Sequence, residues 1–170
     1  ALGRMGATDC ERLRPGPVAQ PVNTLTSLGY VAGAGMVLCR VGRGNPDGRR
    51  PVVVYSALMA LVGAGSVAFH GPQPAGAKLM HDLPIPVLLG VALGTPLARG
   101  LRGADPAPGW TKGRAAALAG ITLAAAACYA AGRTGAPTCD PDSPVQFHGA
   151  WHLVSAAAFV VGADILHGGS

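Results

Sequence analysis

Three polar clusters, each at the edge of an apolar segment, hold the residues of this chain that are best suited to chemistry. These residues are Ser66 and His70 in SVAFH, His81 and Asp82 in MHDLP, and His148 and His152 in HGAWH. Histidines four residues apart lie on one face of a helix. Two such imidazoles and a third from another segment form the ligand set of a catalytic zinc ion, and a nearby carboxylate can take a proton from the water. The clusters therefore predict a zinc (Zn2+) site.

The segments that carry these clusters have the composition of a membrane protein. Of the 170 residues, 49% are hydrophobic and 12% are charged, whereas soluble domains contain about 25% charged residues. The 26 Gly and 15 Pro lie among Ala, Val and Leu runs, as they do in transmembrane helices. The formal charge is +5, but basic residues fall in short gaps between apolar runs and only 5% of residues are aromatic, which argues against a nucleic-acid partner.

Five apolar stretches are long enough to cross a hydrocarbon core, which takes about 20 residues of helix. They cover residues 22–41, 51–70, 80–98, 114–131 and 147–166, and Gly- and Pro-rich connections separate them. The sequence therefore predicts an all-α, multi-pass transmembrane helix bundle of about five spans.

The chain is expected to form a single transmembrane domain over residues 1–170. Residues 1–21 lack the charged start and apolar core of a signal peptide, so we interpret them as an N-terminal cap. The bundle then covers residues 22–166.

Lys and Arg residues in the short loops predict the orientation of the chain. The first loop has Arg40, Arg43, Arg49 and Arg50, and the third has Arg99, Arg102, Lys112 and Arg114. The second and fourth loops have one each, Lys78 and Arg133. Because cytoplasmic loops carry the excess of positive charge, the N-terminus is expected outside and the C-terminus in the cytoplasm. All three polar clusters then fall on the extracytoplasmic side at similar depth.

Spacing alone leaves alternatives open for individual histidines. His148 and His152 could be interfacial residues that flank Trp151 in an aromatic belt. No Glu follows the first of them, so this is not the HExxH pattern and a general base must come from elsewhere, with Asp82 the obvious supplier. His81 competes with His70 for the third ligand position. We prefer His70 because it lies one turn after Ser66, although the spacing does not decide between them.

The four cysteines divide according to this topology. Cys10 and Cys139 both fall outside, where oxidation is permitted, and Cys39 and Cys128 lie in or near helices. Cys10 and Cys139 could form a disulfide or remain two free thiols. The sequence contains no Cys-x-x-Cys pair, which argues against a thiolate zinc site.

Four segments in order, DCERLRPGPVAQPVNT, GSVAFHG, LMHDLP and HGAWH, resemble the alkaline ceramidase family, within a membrane-hydrolase superfamily that includes adiponectin-receptor-like proteins. The family pattern has Cys-Glu before the first span, Asn-Thr at its start, Ser-x-x-x-His ending the second, Asp starting the third and His-x-x-x-His in the last. The resemblance covers most of the chain and is that of a short, bacterial-type member. The family has seven spans, so the two missing ones would lie between Asp82 and His148.

The resemblance implies a role for each of these residues. His70, His148 and His152 would be the zinc ligands, Asp82 would exchange protons with the activated water, and Ser66 would support the oxyanion. A disulfide between Cys10 and Cys139 is implied as well. The implied reaction is hydrolysis of a lipid amide such as ceramide.

A calcium (Ca2+) site that occurs in the family is only partly matched here. Glu11 corresponds to one of its acidic residues, but Gln20 stands where another acid is expected. Asp9 replaces a Trp of the family pattern. These departures argue against calcium binding.

The leading functional hypothesis is therefore a zinc-dependent intramembrane hydrolase whose partner is a membrane lipid. The alternative is a non-enzymatic, receptor-like or structural membrane protein that keeps zinc as a staple, in which case all four coordination positions would be filled by the protein. A zinc transporter is less favoured, because the spans contain almost no acidic residues besides Asp82 and Asp164. The sequence makes no prediction of oligomeric state.

Overall fold

The computed structural model describes residues 4–40 and 49–167, and this part of the chain forms six α-helices and no β-strand. The helices are α1 (Pro21–Arg40), α2 (Arg49–His70), α3 (Ala77–Asp82), α4 (Pro84–Leu101), α5 (Lys112–Ala131) and α6 (Phe147–His167). The predicted all-α helix bundle is confirmed.

Five helical stretches have the length and apolar composition of membrane spans, so the chain is a multi-pass membrane protein. Helices α1, α2, α5 and α6 each form one span, and α3 and α4 together form the third, Ala77–Leu101. The third span begins three residues before the predicted start at residue 80. Pro84 opens α4, where a residue without an N–H is tolerated because the first turn leaves that group unpaired.

Some of the predicted positions lie outside the described residues. They are residue 41, the predicted end of the first span, Arg43 in the following loop, and residues 1–3 and 168–170 of the predicted domain. The rest of the predicted bundle, residues 22–40 and 49–166, is described.

Helices α1, α2 and α6 form the core of the bundle. Their buried side chains include Tyr30 and Val37 of α1, Tyr55 and Met59 of α2, and Ala163 of α6. In contrast, Leu88 is the only buried residue of α4, and Ala125 is the only one of α5. Because leucines on α4 and α5 are largely exposed, these two helices lie at the periphery, as expected for surfaces in contact with lipid.

The N-terminal cap is fixed to the start of α1 by a carboxylate. Both oxygens of Glu11 accept hydrogen bonds of 2.8 Å, one from the backbone N–H of Val22 and one from that of Asn23. These N–H groups belong to the first turn of a helix, which has no intrahelical partner for them, and a negative charge is favourable there. The Glu11 side chain therefore satisfies the free N–H groups at the start of helix α1.

A second set of contacts joins the cap to the segment between α5 and α6. Cys10 and Cys139 form a disulfide, with their Cα atoms 5.5 Å apart. An isolated antiparallel β-bridge pairs Asp9 with Arg133, and the exposed Arg12 donates to both oxygens of Asp142, at 2.7 and 2.6 Å. The cap is thus held over one end of the helix bundle.

Gly65 allows α2 and α3 to approach each other closely. A Cβ atom at this position would overlap the carbonyl of Met80 and lie 3.0 Å from the backbone nitrogen of His81. Both are backbone atoms of α3, so a flexible side chain cannot move aside to make room.

We therefore expect Gly65→Ala to lower the free energy of unfolding by about 1–3 kcal/mol, as overpacking does. Gly90→Ala is the matched control, because nothing lies within 4 Å of a Cβ atom at Gly90. Thermal unfolding of both variants in detergent measures the difference. Equal stability of the two variants would contradict the close approach of α2 and α3.

Candidate metal centre

Three histidines meet at the end of the bundle that the cap covers. His70 is the last residue of α2, and His148 and His152 lie in the first turns of α6. All three are buried, and their ligand nitrogens lie within 4.8 Å of one another. The structure therefore brings together the three predicted ligands.

Gln20 of the cap sets the orientation of the His70 ring. The amide nitrogen of Gln20 donates to the carbonyl oxygens of Gly6 and Glu11, at 3.0 and 2.8 Å. Its oxygen therefore faces His70, 2.7 Å from Nδ1, and can only accept. The ring must carry its proton on Nδ1, which leaves the lone pair of the neutral imidazole on Nε2.

Two hydroxyl groups of α1 set the orientation of the His152 ring. Its Nδ1 lies 3.2 Å from Oγ1 of Thr26 and 3.3 Å from Oγ of Ser27. Each hydroxyl donates its single proton to a carbonyl oxygen of α1, that of Val22 for Thr26 and that of Asn23 for Ser27. They consequently accept from Nδ1 of His152, and its lone pair is also on Nε2.

Asp9 lies beside the third histidine. Its Oδ1 is 3.4 Å from Nδ1 of His148, which is close but outside hydrogen-bonding geometry, and 2.7 Å from Nη1 of Arg133. Burial raises the pKa of Asp9 to about 6, and the charge of Arg133 opposes this increase. A carboxylate near the outer nitrogen of a histidine is a common arrangement around zinc, where it orients the ring and increases its basicity.

Nε2 is unpaired in all three rings, and in His148 Nδ1 is unpaired as well. The Nε2 atoms of His70, His148 and His152 are buried and have no hydrogen-bond partner among the described residues. Buried polar atoms are rarely left in this state, and three imidazole nitrogens in one place suit a cation that imidazole binds well, zinc above all. The residues present therefore fit a metal ion.

The other predicted site residues surround this group at different positions. Ser66 is buried one turn before His70 on α2. Asp82 is partly exposed, and its carboxylate pairs with Lys78 and with Nδ1 of His81, the latter at 2.8 Å. Although His81 competes with His70 in the sequence, it lies outside the three-histidine group.

A cavity of about 590 Å³ opens beside the metal centre. His81, Asp82 and His148 line it together with Asp9 and Trp151. It thus brings Asp82 and one candidate ligand to the same space, while Ser66 is not among the described residues that form its walls.

A second cavity, of about 320 Å³, lies deeper in the bundle between α2, α4, α5 and α6 and has mainly apolar walls. Ile85, Ala126 and Trp151 line both cavities, so the two cavities adjoin at these three residues.

The two residues compared with a calcium site have other partners. Glu11 caps α1, and Gln20 supports His70. Sequence reasoning missed the roles of Gln20, Asp9, Thr26 and Ser27 beside the histidines. No local pattern identifies these residues, because each lies 50 or more positions away from its histidine.

Comparison with models of protein families, with curated proteins and with solved structures gave no match to this chain. The functional argument therefore depends on the residues of the chain itself.

We expect purified protein to bind about one equivalent of zinc, because three imidazoles can hold one ion with three ligands. The double variant His148→Ala, His152→Ala should lose it, since two of the three unpaired nitrogens disappear. His167→Ala is the control, because His167 lies at the opposite end of α6. Metal analysis after dialysis measures the content, and full retention of zinc by the double variant would contradict the site.

We expect Asp9→Asn to weaken zinc binding by about 10- to 100-fold, as is typical for loss of a residue that supports a ligand. The change removes a negative charge beside His148 while preserving the side-chain shape. Competition with a chelator at pH 8, above the pKa of Asp9, measures the affinity.

Asp142→Asn is the matched control for this variant. It breaks an exposed ion pair between the cap and the segment that joins α5 to α6. Such a pair contributes little stability, and Asp142 touches no histidine. Equal zinc affinity of the two variants would show that Asp9 does not support His148.

Proposed function

We propose that this protein is a zinc-dependent intramembrane hydrolase that cleaves a lipid amide. The observation that carries the proposal is the set of three buried histidines with unpaired Nε2 atoms. Partners of Nδ1 orient two of these rings, and a buried carboxylate lies beside the third. Such preparation of the ligands is typical of metal centres.

A hydrolytic centre is favoured over a structural staple by the number of ligands. The described residues bring three nitrogen ligands together, and catalytic zinc sites use three protein ligands and keep a fourth position for water or substrate. When bound, zinc would polarise the substrate carbonyl and make a water molecule more acidic. The cavity beside His148 gives a substrate access to this region.

The adjoining cavities support a lipid as the substrate. The cavity beside His148 contains the groups suited to an amide, and the apolar cavity beyond Ile85, Ala126 and Trp151 has walls suited to a hydrocarbon chain. A molecule with a polar linkage next to a long apolar chain fits both spaces. Among such molecules, the resemblance to alkaline ceramidases favours a ceramide-like amide.

The chain offers residues for the remaining chemical tasks. Asp82, in the cavity wall, takes part in moving the proton that water loses and the leaving amine gains. Ser66, one turn before His70, is proposed to support the negative charge on the carbonyl oxygen.

We propose that the metal centre faces the extracytoplasmic side and that the C-terminus lies in the cytoplasm. The disulfide between Cys10 and Cys139 covers the metal-centre end of the bundle, and disulfides persist in oxidising compartments. At the opposite end, Arg40, Arg49 and Arg99 follow the positive-inside rule.

The proposal predicts that purified, zinc-loaded protein hydrolyses a fluorophore-labelled ceramide. We expect Asp82→Asn to retain zinc and reduce turnover by about 10²- to 10⁴-fold, the effect of losing acid–base catalysis. Asp105→Asn, an exposed carboxylate after α4, is the control and should be fully active. Chromatographic separation of the released fatty acid gives the rate.

Lack of hydrolysis above a zinc-stripped control, with both sphingoid and simple N-acyl amides, would rule out this function. In that case a zinc site that is present but inactive would favour the structural alternative.

A further inference from the structure

His81 lies next to the metal centre without belonging to it. Its ring stacks on that of Phe69, with 4.4 Å between centroids, and its centroid is 5.8 Å from that of His70 in an edge-on arrangement. The side chain is 14% exposed, and its Nε2 is buried and has no hydrogen-bond partner within the described residues. His81 thus has an unpaired ring nitrogen, and its side chain lines the same cavity as His148.

Asp82 holds the other nitrogen of this ring. Its Oδ1 lies 2.8 Å from Nδ1 of His81, and its Oδ2 pairs with the ammonium of Lys78. An ionised carboxylate only accepts hydrogen bonds, so Nδ1 is the donor, and the lone pair of the neutral ring is on Nε2. A carboxylate that fixes the tautomer of a histidine in this way is the arrangement that prepares an imidazole to act as a base in hydrolases.

Both oxygens of Asp82 are therefore already engaged. The carboxylate faces an ammonium group on one side and an imidazole on the other, and the imidazole is the group that lies against His70. The close approach of α2 and α3 at Gly65 positions the backbone of His81 there. Asp82 contacts His81, and His81 in turn lies against His70 of the metal centre.

We propose that His81 is the catalytic residue that exchanges protons with the substrate, and that Asp82 is a positioning residue that acts through His81. This inference rests on the proposed hydrolase function and assigns its acid–base step to a different side chain from the one the sequence suggested.

The step is balanced without any further reactant. Nε2 of His81 accepts a proton from the water molecule whose oxygen bonds to the acyl carbon. The same nitrogen then donates that proton to the amide nitrogen as the C–N bond breaks, so that amide and water yield a carboxylic acid and an amine. Between the two transfers, Asp82 stabilises the positively charged ring and keeps its Nδ1 proton in place.

The test is a double-mutant cycle with His81→Ala, Asp82→Asn and the combined variant. Each protein is assayed for zinc content, for zinc affinity by chelator competition, and for kcat with fluorophore-labelled ceramide. We expect His81→Ala to bind zinc as the wild type does and to lose about 10²- to 10⁴-fold in kcat. The combined variant should be no slower than His81→Ala alone, because residues that act as one unit are not additive.

Two controls separate this role from a structural one. Lys78→Gln removes the other partner of Asp82 without touching His81, and should leave kcat within a few fold of the wild type, as expected for an exposed pair. The visible spectrum of cobalt-substituted protein should be the same for the wild type and His81→Ala, since His81 is not a ligand. If His81→Ala fails to fold, His81→Gln is used in its place.

The outcomes are distinct. Loss of zinc or a changed cobalt spectrum in the His81 variant would make His81 a ligand and overturn the inference. A His81 variant with wild-type kcat, or a combined variant slower by the product of the two single effects, would overturn it in favour of direct action by Asp82. A wild-type protein with no hydrolysis would overturn the proposed function itself, and this inference with it.

Discussion

The side-chain amide of Gln20 is the contact on which the candidate metal centre depends most. Its nitrogen binds two carbonyl oxygens of the cap, and its oxygen fixes His70, while its backbone N–H donates to the carbonyl of His70 at 2.8 Å. A buried amide with unpaired groups is costly, so these bonds determine one orientation. The end of α2, the start of α1 and the cap are thereby joined at one point, and a ligand ring is oriented by the same residue.

The same requirement accounts for the position of the other two candidate ligands. The three histidines are buried, so a protein partner for each outer ring nitrogen lowers the cost of burying it. α1 supplies hydroxyl groups for His152, and the cap supplies a carboxylate for His148. Gly132, after α5, leaves no room for a Cβ atom beside the backbone of His148, which keeps the start of α6 close to the cap. The polar partners and the packing therefore favour one geometry.

Much of the fold could be predicted from the sequence, because membrane spans are encoded in the apolar character of consecutive residues. The sequence does not predict the break in the third span at Leu83–Pro84. A proline is tolerated in the first turn of a helix, so Pro84 does not by itself show that one helix ends and another begins there. The pair His148 and His152 on α6 can also be recognised in the sequence, because the two residues are only four positions apart. The sequence left the choice between His70 and His81 open, because it depends on how α2 and α3 pack at Gly65.

The residues that contact the three histidines could not be predicted from patterns among neighbouring residues. Gln20 was noted only as a departure from an acidic residue of a calcium site, and Asp9 only as a replacement for Trp. Their roles arise from contacts with residues 50 and 139 positions away, and nothing in the neighbouring sequence specifies such contacts. The family resemblance gave no indication of the contact that Gln20 makes with His70, because a residue's role changes with the partner that the fold provides.

The residues of the candidate site come from only some of the described helices. The candidate ligands and the residues that orient them come from the cap, α1, α2 and α6, and His81 and Asp82 come from α3. Helices α4 and α5 contribute walls to the apolar cavity, and their described backbones do not contact each other. Helices α4 and α5 therefore contribute to the apolar cavity and not to the three-histidine group. In the lipid-amide hydrolase that we propose, this division would assign the chemistry to α2, α3 and α6 and the space for a hydrocarbon chain to the cavity that α4 and α5 help to line.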